Sequence, residues 1–142
     1  MAITVAQAVR NAVEAERAAA QFYRALAALD LVDEVRGFFL EMAKQEDQHA
    51  ESIETGGKRL VGGALPERAD MVVRAVESAP EWLVVDSITK QNAISIAHEN
   101  ELKASLFYDA LADFCPEPEA DFFRQLAKTE LEHAKKLEKL EL

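Results

Sequence analysis

The chain has 142 residues, 49 % hydrophobic and 30 % charged, which suits one domain with a sizeable core. Sixteen Lys and Arg against 26 Asp and Glu give a net charge of −10, which argues against nucleic acid or an anionic membrane as a main partner, because both need clustered positive charge. A single cysteine, Cys115, excludes an intrachain disulfide and a thiolate metal site built by one chain. No stretch approaches the ~20 apolar residues of a membrane span. Residues Met1 to Arg10 lack a signal peptide's basic start and apolar run, so a cytoplasmic protein is expected.

Ala, Glu, Leu and Lys dominate, Gly and Pro are scarce, and alternating Val/Ile/Thr runs are almost absent, which favours helix over sheet. The first predicted helix runs from about Thr4 to Leu29, with Val9, Ala12, Glu16, Ala19, Tyr23 and Leu26 on one face. Asp30 makes a turn and caps the second, from about Leu31 to Thr55. Its stripe is Val35, Phe39, Met42, Glu46, His49 and Ile53, and Gly37 inside it weakens it slightly. Gly56, Gly57, Gly62, Gly63, Pro66 and Pro80 mark residues 56–85 as a long connection. Within it Ala69 to Glu77 suits a short amphipathic helix, and Trp82 a packing anchor.

The third helix is expected from Asp86, as N-cap, to about Phe114, with Ile94, Ala97, Glu101, Ala104 or Ser105, Tyr108 and Leu111 on one face. Cys115 reads as a small buried filler at its end. Pro116 and Pro118 suit the first turn of the fourth helix, which runs to about Lys139 and carries Phe123, Leu126, Glu130, His133, Leu137 and Leu140 on its stripe. Short turns within each pair and a long link between them predict an all-α four-helix bundle. It would be one domain: hairpin 1–55, crossover 56–85, hairpin 86–142.

The two hairpins are copies. Glu14 to Ala27 resembles Glu99 to Ala112 at an offset of 85, sharing the Glu-x-Glu start and the Phe-Tyr pair. Met42 to Ala50 resembles Leu126 to Ala134 at an offset of 84. Copies of one helix pair pack about a pseudo-twofold axis, and matched residues then meet near it.

Each apolar stripe is interrupted at matching places. One Glu breaks the first and third helices, Glu16 and Glu101, and one Glu-x-x-His breaks the second and fourth, Glu46 with His49 and Glu130 with His133. Glu14 and Glu99 lie about 200° away from the stripe glutamates and are expected in solvent. His98 is off the stripe as well. Four buried carboxylates cannot all stay ionised uncompensated, and two divalent cations neutralise them. Carboxylate and imidazole donors suit iron or manganese, and zinc less well without thiolates. Tyr23 and Tyr108 read first as core aromatics; their buried hydroxyls need partners, and the ligand carboxylates are candidates.

On Glu16 with Phe22-Tyr23, Glu46-x-x-His49, Glu101 with Phe107-Tyr108, and Glu130-x-x-His133, the chain resembles the ferritin-like superfamily and, within it, the rubrerythrin-like proteins. The resemblance covers nearly everything outside 56–85. It implies a non-haem diiron centre that reacts with dioxygen or hydrogen peroxide, with Glu46 and Glu130 bridging, Glu16 and Glu101 terminal, and His49 and His133 each holding one iron. It also implies a homodimer. Rubrerythrins proper carry a rubredoxin domain with four cysteine ligands; with Cys115 alone here, electrons are expected from an external donor. They also carry an extra glutamate one turn after the third-helix ligand, where this chain has Ala104. The expected activity is a diiron peroxidase, or a ferroxidase with Fe(II) itself as substrate. The alternatives are iron storage without turnover and a metal-free helical interaction module.

Overall fold

A computed structural model describes residues 4–28, 33–68 and 90–141. Among these, every regular element is helical: α1 (Val5–Ala27), α2 (Asp33–Val61), α3 (Lys90–Asp113), α4 (Glu119–Glu138) and a 3-10 turn at Lys139–Glu141. The termini follow helix-end chemistry. Thr4 Oγ1 accepts from the Gln7 N–H at 3.1 Å and caps α1. Acidic residues occupy the first turns of α2 (Asp33, Glu34) and α4 (Glu119, Asp121), and basic residues the last turns, as the helix dipole favours.

α1 pairs with α2 and α3 with α4 as hairpins. Between the hairpins, α1 runs antiparallel to α3, since Tyr23 meets Glu101 and Tyr108 meets Glu16. α2 likewise runs antiparallel to α4, where Lys136 meets Gln45. α2 therefore ends, and α3 begins, at opposite ends of the bundle. This is the four-helix bundle of two hairpins that the sequence predicts.

The core has two apolar clusters. One gathers Val9, Ile53, Phe107, Leu111, Phe123 and Leu126; the other gathers Phe22, Leu26, Val35, Phe39, Ile94 and Leu137. On each helix the residues of the two clusters flank the stripe glutamate, so the polar layer lies between two greasy slabs that exclude water from it.

Two boundary expectations and one exposure expectation change. α2 does not stop at Thr55 but continues through Gly56 and Gly57 to Val61. The chain turns only at Gly62, whose φ of +69° is open to glycine, and the Gly63 N–H closes the end on Lys58 O at 3.2 Å. Gly57 is a contact residue instead: a Cβ there would lie 2.1 Å from Val9 Cγ1, so its absence lets α2 approach α1. The fourth helix begins at Glu119, with Pro118 as its N-cap. Glu14 is not free in solvent. It is half-buried and joins Arg10 (3.3 Å) and Arg17 (3.1 Å), which both also reach Glu54 (3.4 and 3.2 Å). Buried Arg10 further donates through Nε to Pro66 O at 2.6 Å, and Gln7 donates to Arg68 O at 3.0 Å. This network ties the stretch after α2 to α1. Asp30, Asp86, Ala69 to Glu77 and Trp82 lie outside the described residues.

Gly57→Ala is expected to destabilise the protein by about 1–3 kcal/mol through overpacking against Val9, outweighing the ~1 kcal/mol of helix propensity that alanine gains. Gly56→Ala, whose Cβ would meet only Phe122 at an ordinary 3.5 Å, is expected to stabilise it. Urea unfolding of both variants checks the opposite signs.

Candidate metal centre

The polar layer is built from one carboxylate per helix. Glu16, Glu46, Glu101 and Glu130 are all at most 3 % exposed. His49 and His133, each one turn after the glutamate of its own helix, turn Nδ1 into the same layer. His49 Nδ1 lies 3.3 Å from Glu16 Oε1 and 3.7 Å from Glu130 Oε1. His133 Nδ1 lies 2.7 Å from Glu46 Oε1, 3.6 Å from Glu101 Oε2 and 3.7 Å from Glu130 Oε2. The pairing obeys the repeat: each histidine faces the stripe glutamate of its own hairpin and the Glu-x-x-His glutamate of the other.

All six sequence-predicted residues come together, and they do so as two sets. Glu16, Glu46, His49 and Glu130 offer donor atoms within 4.8 Å of one another, and so do Glu46, Glu101, Glu130 and His133. Glu46 and Glu130 belong to both sets. Glu16 Oε2, Glu101 Oε2, Glu130 Oε1 and both histidine Nδ1 atoms are buried without a hydrogen bond. Leaving such an atom buried and unsatisfied costs about 1–3 kcal/mol each. Donors this crowded, with buried atoms left unsatisfied, can hold a cation, and the mixed oxygen and nitrogen set fits iron.

Without cations the layer has to hold protons instead. Burial, and then the charges of Glu16, Glu46 and Glu101, push the Glu130 carboxyl well above the usual carboxylate range. Burial acts on Glu16 in the same direction, but hydrogen bonding with Glu46, His49 and Glu130 outweighs it and holds Glu16 well below that range. His49 is desolvated, which disfavours its charge. Its contact with Glu16 and the charges of Glu16 and Glu101 prevail, and its pKa is raised.

The two tyrosines cross between hairpins. Tyr23 of α1 donates its hydroxyl to Glu101 of α3, and Tyr108 of α3 donates to Glu16 of α1 at 2.8 Å. Burial, followed by the charges of Glu101 and Glu46, pushes the Tyr23 phenol well up, so it remains a donor. Each bond leaves the second oxygen of its glutamate for the centre.

The remaining candidates fall outside. His98 is half-buried and pairs with Glu138 at 2.9 Å. Glu99 is exposed. Cys115 is half-buried at the end of α3 beside the first apolar cluster. Burial and then Glu119 push its thiol up, which disfavours the thiolate. Ala104 is buried against the first cluster. Sequence reading missed Asn100, which lines a small cavity with Glu101, Glu130 and Tyr23. Its counterpart in the repeat is Ala15, so the duplication carried no signal there.

Comparison with protein-family models matches residues 7–141, and thus nearly the whole chain with all six donors, to Rubrerythrin. The chain belongs to the rubrerythrin family. Searches of curated proteins and of solved structures returned no match. As a rubrerythrin-family protein it has both Glu-x-x-His pairs, both stripe glutamates and the crossed tyrosines. Among the described residues, no helix of this rubrerythrin-family chain is long and apolar enough to cross a membrane.

Proposed function

We propose that this protein is a non-haem diiron oxidoreductase of one domain, reducing hydrogen peroxide or dioxygen. The observation that carries the reading is the two donor sets sharing the buried Glu46 and Glu130. Glu16 with His49 would hold one iron and Glu101 with His133 the other, with Glu46 and Glu130 common to both. Four carboxylates match the charge of two divalent ions. Manganese fits the same donors, and zinc less well without thiolates. The iron pair supplies two electrons to one oxidant molecule.

The chain's own residues then do three things. Tyr23 and Tyr108 fix the orientation of Glu101 and Glu16, so that the ligand set needs little rearrangement. Phe39, Phe123 and their neighbours keep bulk water out. Glu130 gives up its proton when cations enter. Ala104 offers no carboxylate for a ligand exchange, which favours fixed coordination. Electrons come from an external donor, and the protein acts as a homodimer in the cytoplasm. Fe(II) is itself the substrate if the reaction is of the ferroxidase type.

Anaerobic Fe(II) titration tests this. It should saturate at two ions per chain, and adding peroxide or dioxygen in separate experiments should then produce ferric absorbance, faster with the physiological oxidant. Saturation at one ion, or equally sluggish reaction with both oxidants, would contradict the assignment.

A further inference from the structure

The repeat makes His49 and His133 equivalent in sequence, yet their surroundings differ. The His49 side chain is 18 % exposed and that of His133 8 %. The two seams also differ one turn further along each helix. On α4, Lys136 reaches across to α2 and bridges the seam near His133, its Nζ donating to Gln45 Oε1 at 3.5 Å. The positions matching this pair in the repeat are Ser52 and Thr129. Ser52 is too short to span the helices, and Thr129 Oγ1 turns back onto its own helix to donate to Gln125 O at 3.1 Å.

The seam beside His49 therefore stays open as a groove of about 390 Å³ between α2 and α4. His49 lines it together with apolar Ile53, Phe122 and Leu126, and the exposed side chains Ser52, Asp121 and Gln125 stand at its mouth. The cavity beside Glu101 and Glu130, on the α1–α3 side, is about 10 Å³, room for one water at most.

We propose that this groove is the passage by which divalent cations enter and leave the centre, with His49 the first donor they meet. The inference rests on the metal-binding reading above. Asp121 offers a carboxylate at the mouth, with Arg124 3.8 Å from it offsetting part of its charge. Beside His133 the α2–α4 seam is bridged instead by Lys136, whose ammonium repels cations.

The test follows metal transfer and needs no turnover. Full-length protein loaded with Co(II), whose absorption reports ligation, is mixed with excess chelator and metal loss is timed by stopped flow; equilibrium metal content is measured separately. Ser52→Leu fills the mouth with an uncharged side chain at an exposed position. It is expected to slow release roughly tenfold, an added barrier of about 1.4 kcal/mol, at unchanged metal content. Ser52→Lys with Thr129→Gln copies the bridged seam and should slow release at least as much. Lys136→Ser opens the other side and should speed it. Wild-type release rates in Ser52→Leu at full metal content overturn the passage and leave the metal reading standing. A wild-type chain that binds neither Co(II) nor Fe(II) overturns both.

Discussion

Glu46→Ala is expected to lower iron content and abolish most of the rise in melting temperature that iron gives the wild-type protein. Glu46 is fully buried and belongs to both donor sets, so its loss takes a donor from both at once. A ligand that binds only the folded chain stabilises it by about 2.7 kcal/mol at a hundred times its Kd. For a domain of this size that is a rise of roughly 8 °C. Glu46→Gln separates charge from packing, since it keeps the volume. Without metal it should melt higher than wild type, because a source of repulsion on Glu130 is gone, yet it should lose the iron-dependent gain. Calorimetry with and without iron checks both, and an undiminished gain in Glu46→Ala would remove Glu46 from the ligand set.

The gain from metal should also grow as pH rises from about 5 to 8, by as much as several degrees. In the metal-free chain the Glu130 pKa lies above its unfolded value near 4.5 and the His49 pKa above 6.5. Both groups bind more protons folded than unfolded across this range, so their contribution to stability falls as pH rises through their folded pKa values. Glu16 has the opposite sign, but its contribution is lost only as pH falls below about 4.5, outside this window. Cations replace these protons, and metal-loaded protein is spared the penalty. Melting temperatures at four pH values, in chelator and in excess Fe(II) under anaerobic conditions, test this. A metal-free chain whose stability rises steadily from pH 5 to 8 would show that Glu130 and His49 do not carry protons in the empty layer.

The six donors were legible because polar residues broke an apolar period, and did so twice at the same offsets. A single Glu-x-x-His would have meant little; two copies with matching partner glutamates carry the geometry with them. The crossing of the tyrosines was only half legible. Their place on the stripe predicted burial and a polar partner, but which glutamate each would reach depends on how the hairpins pack. Gly56 and Gly57 misled for a different reason. Glycine at a helix end and glycine at a helix–helix contact look alike in sequence, and only the proximity of Val9 distinguishes them. Glu14 misled because its partner Arg10 is fixed by a carbonyl 56 residues away, beyond the reach of local pattern. The groove beside His49 was not visible either: it arises where the duplication is broken, at Ser52 and Thr129, and a repeat carries signal only where its halves agree.

The crossed bonds of Tyr23 with Glu101 and Tyr108 with Glu16 are reciprocal. Neither half of the molecule can complete its own chemistry, and each supplies what the other lacks. A polypeptide of half this length could therefore satisfy every one of these bonds by self-association. Covalent fusion adds no contact to that arrangement; it frees the twin sequences to diverge, so that one flank can be sealed while the other admits traffic.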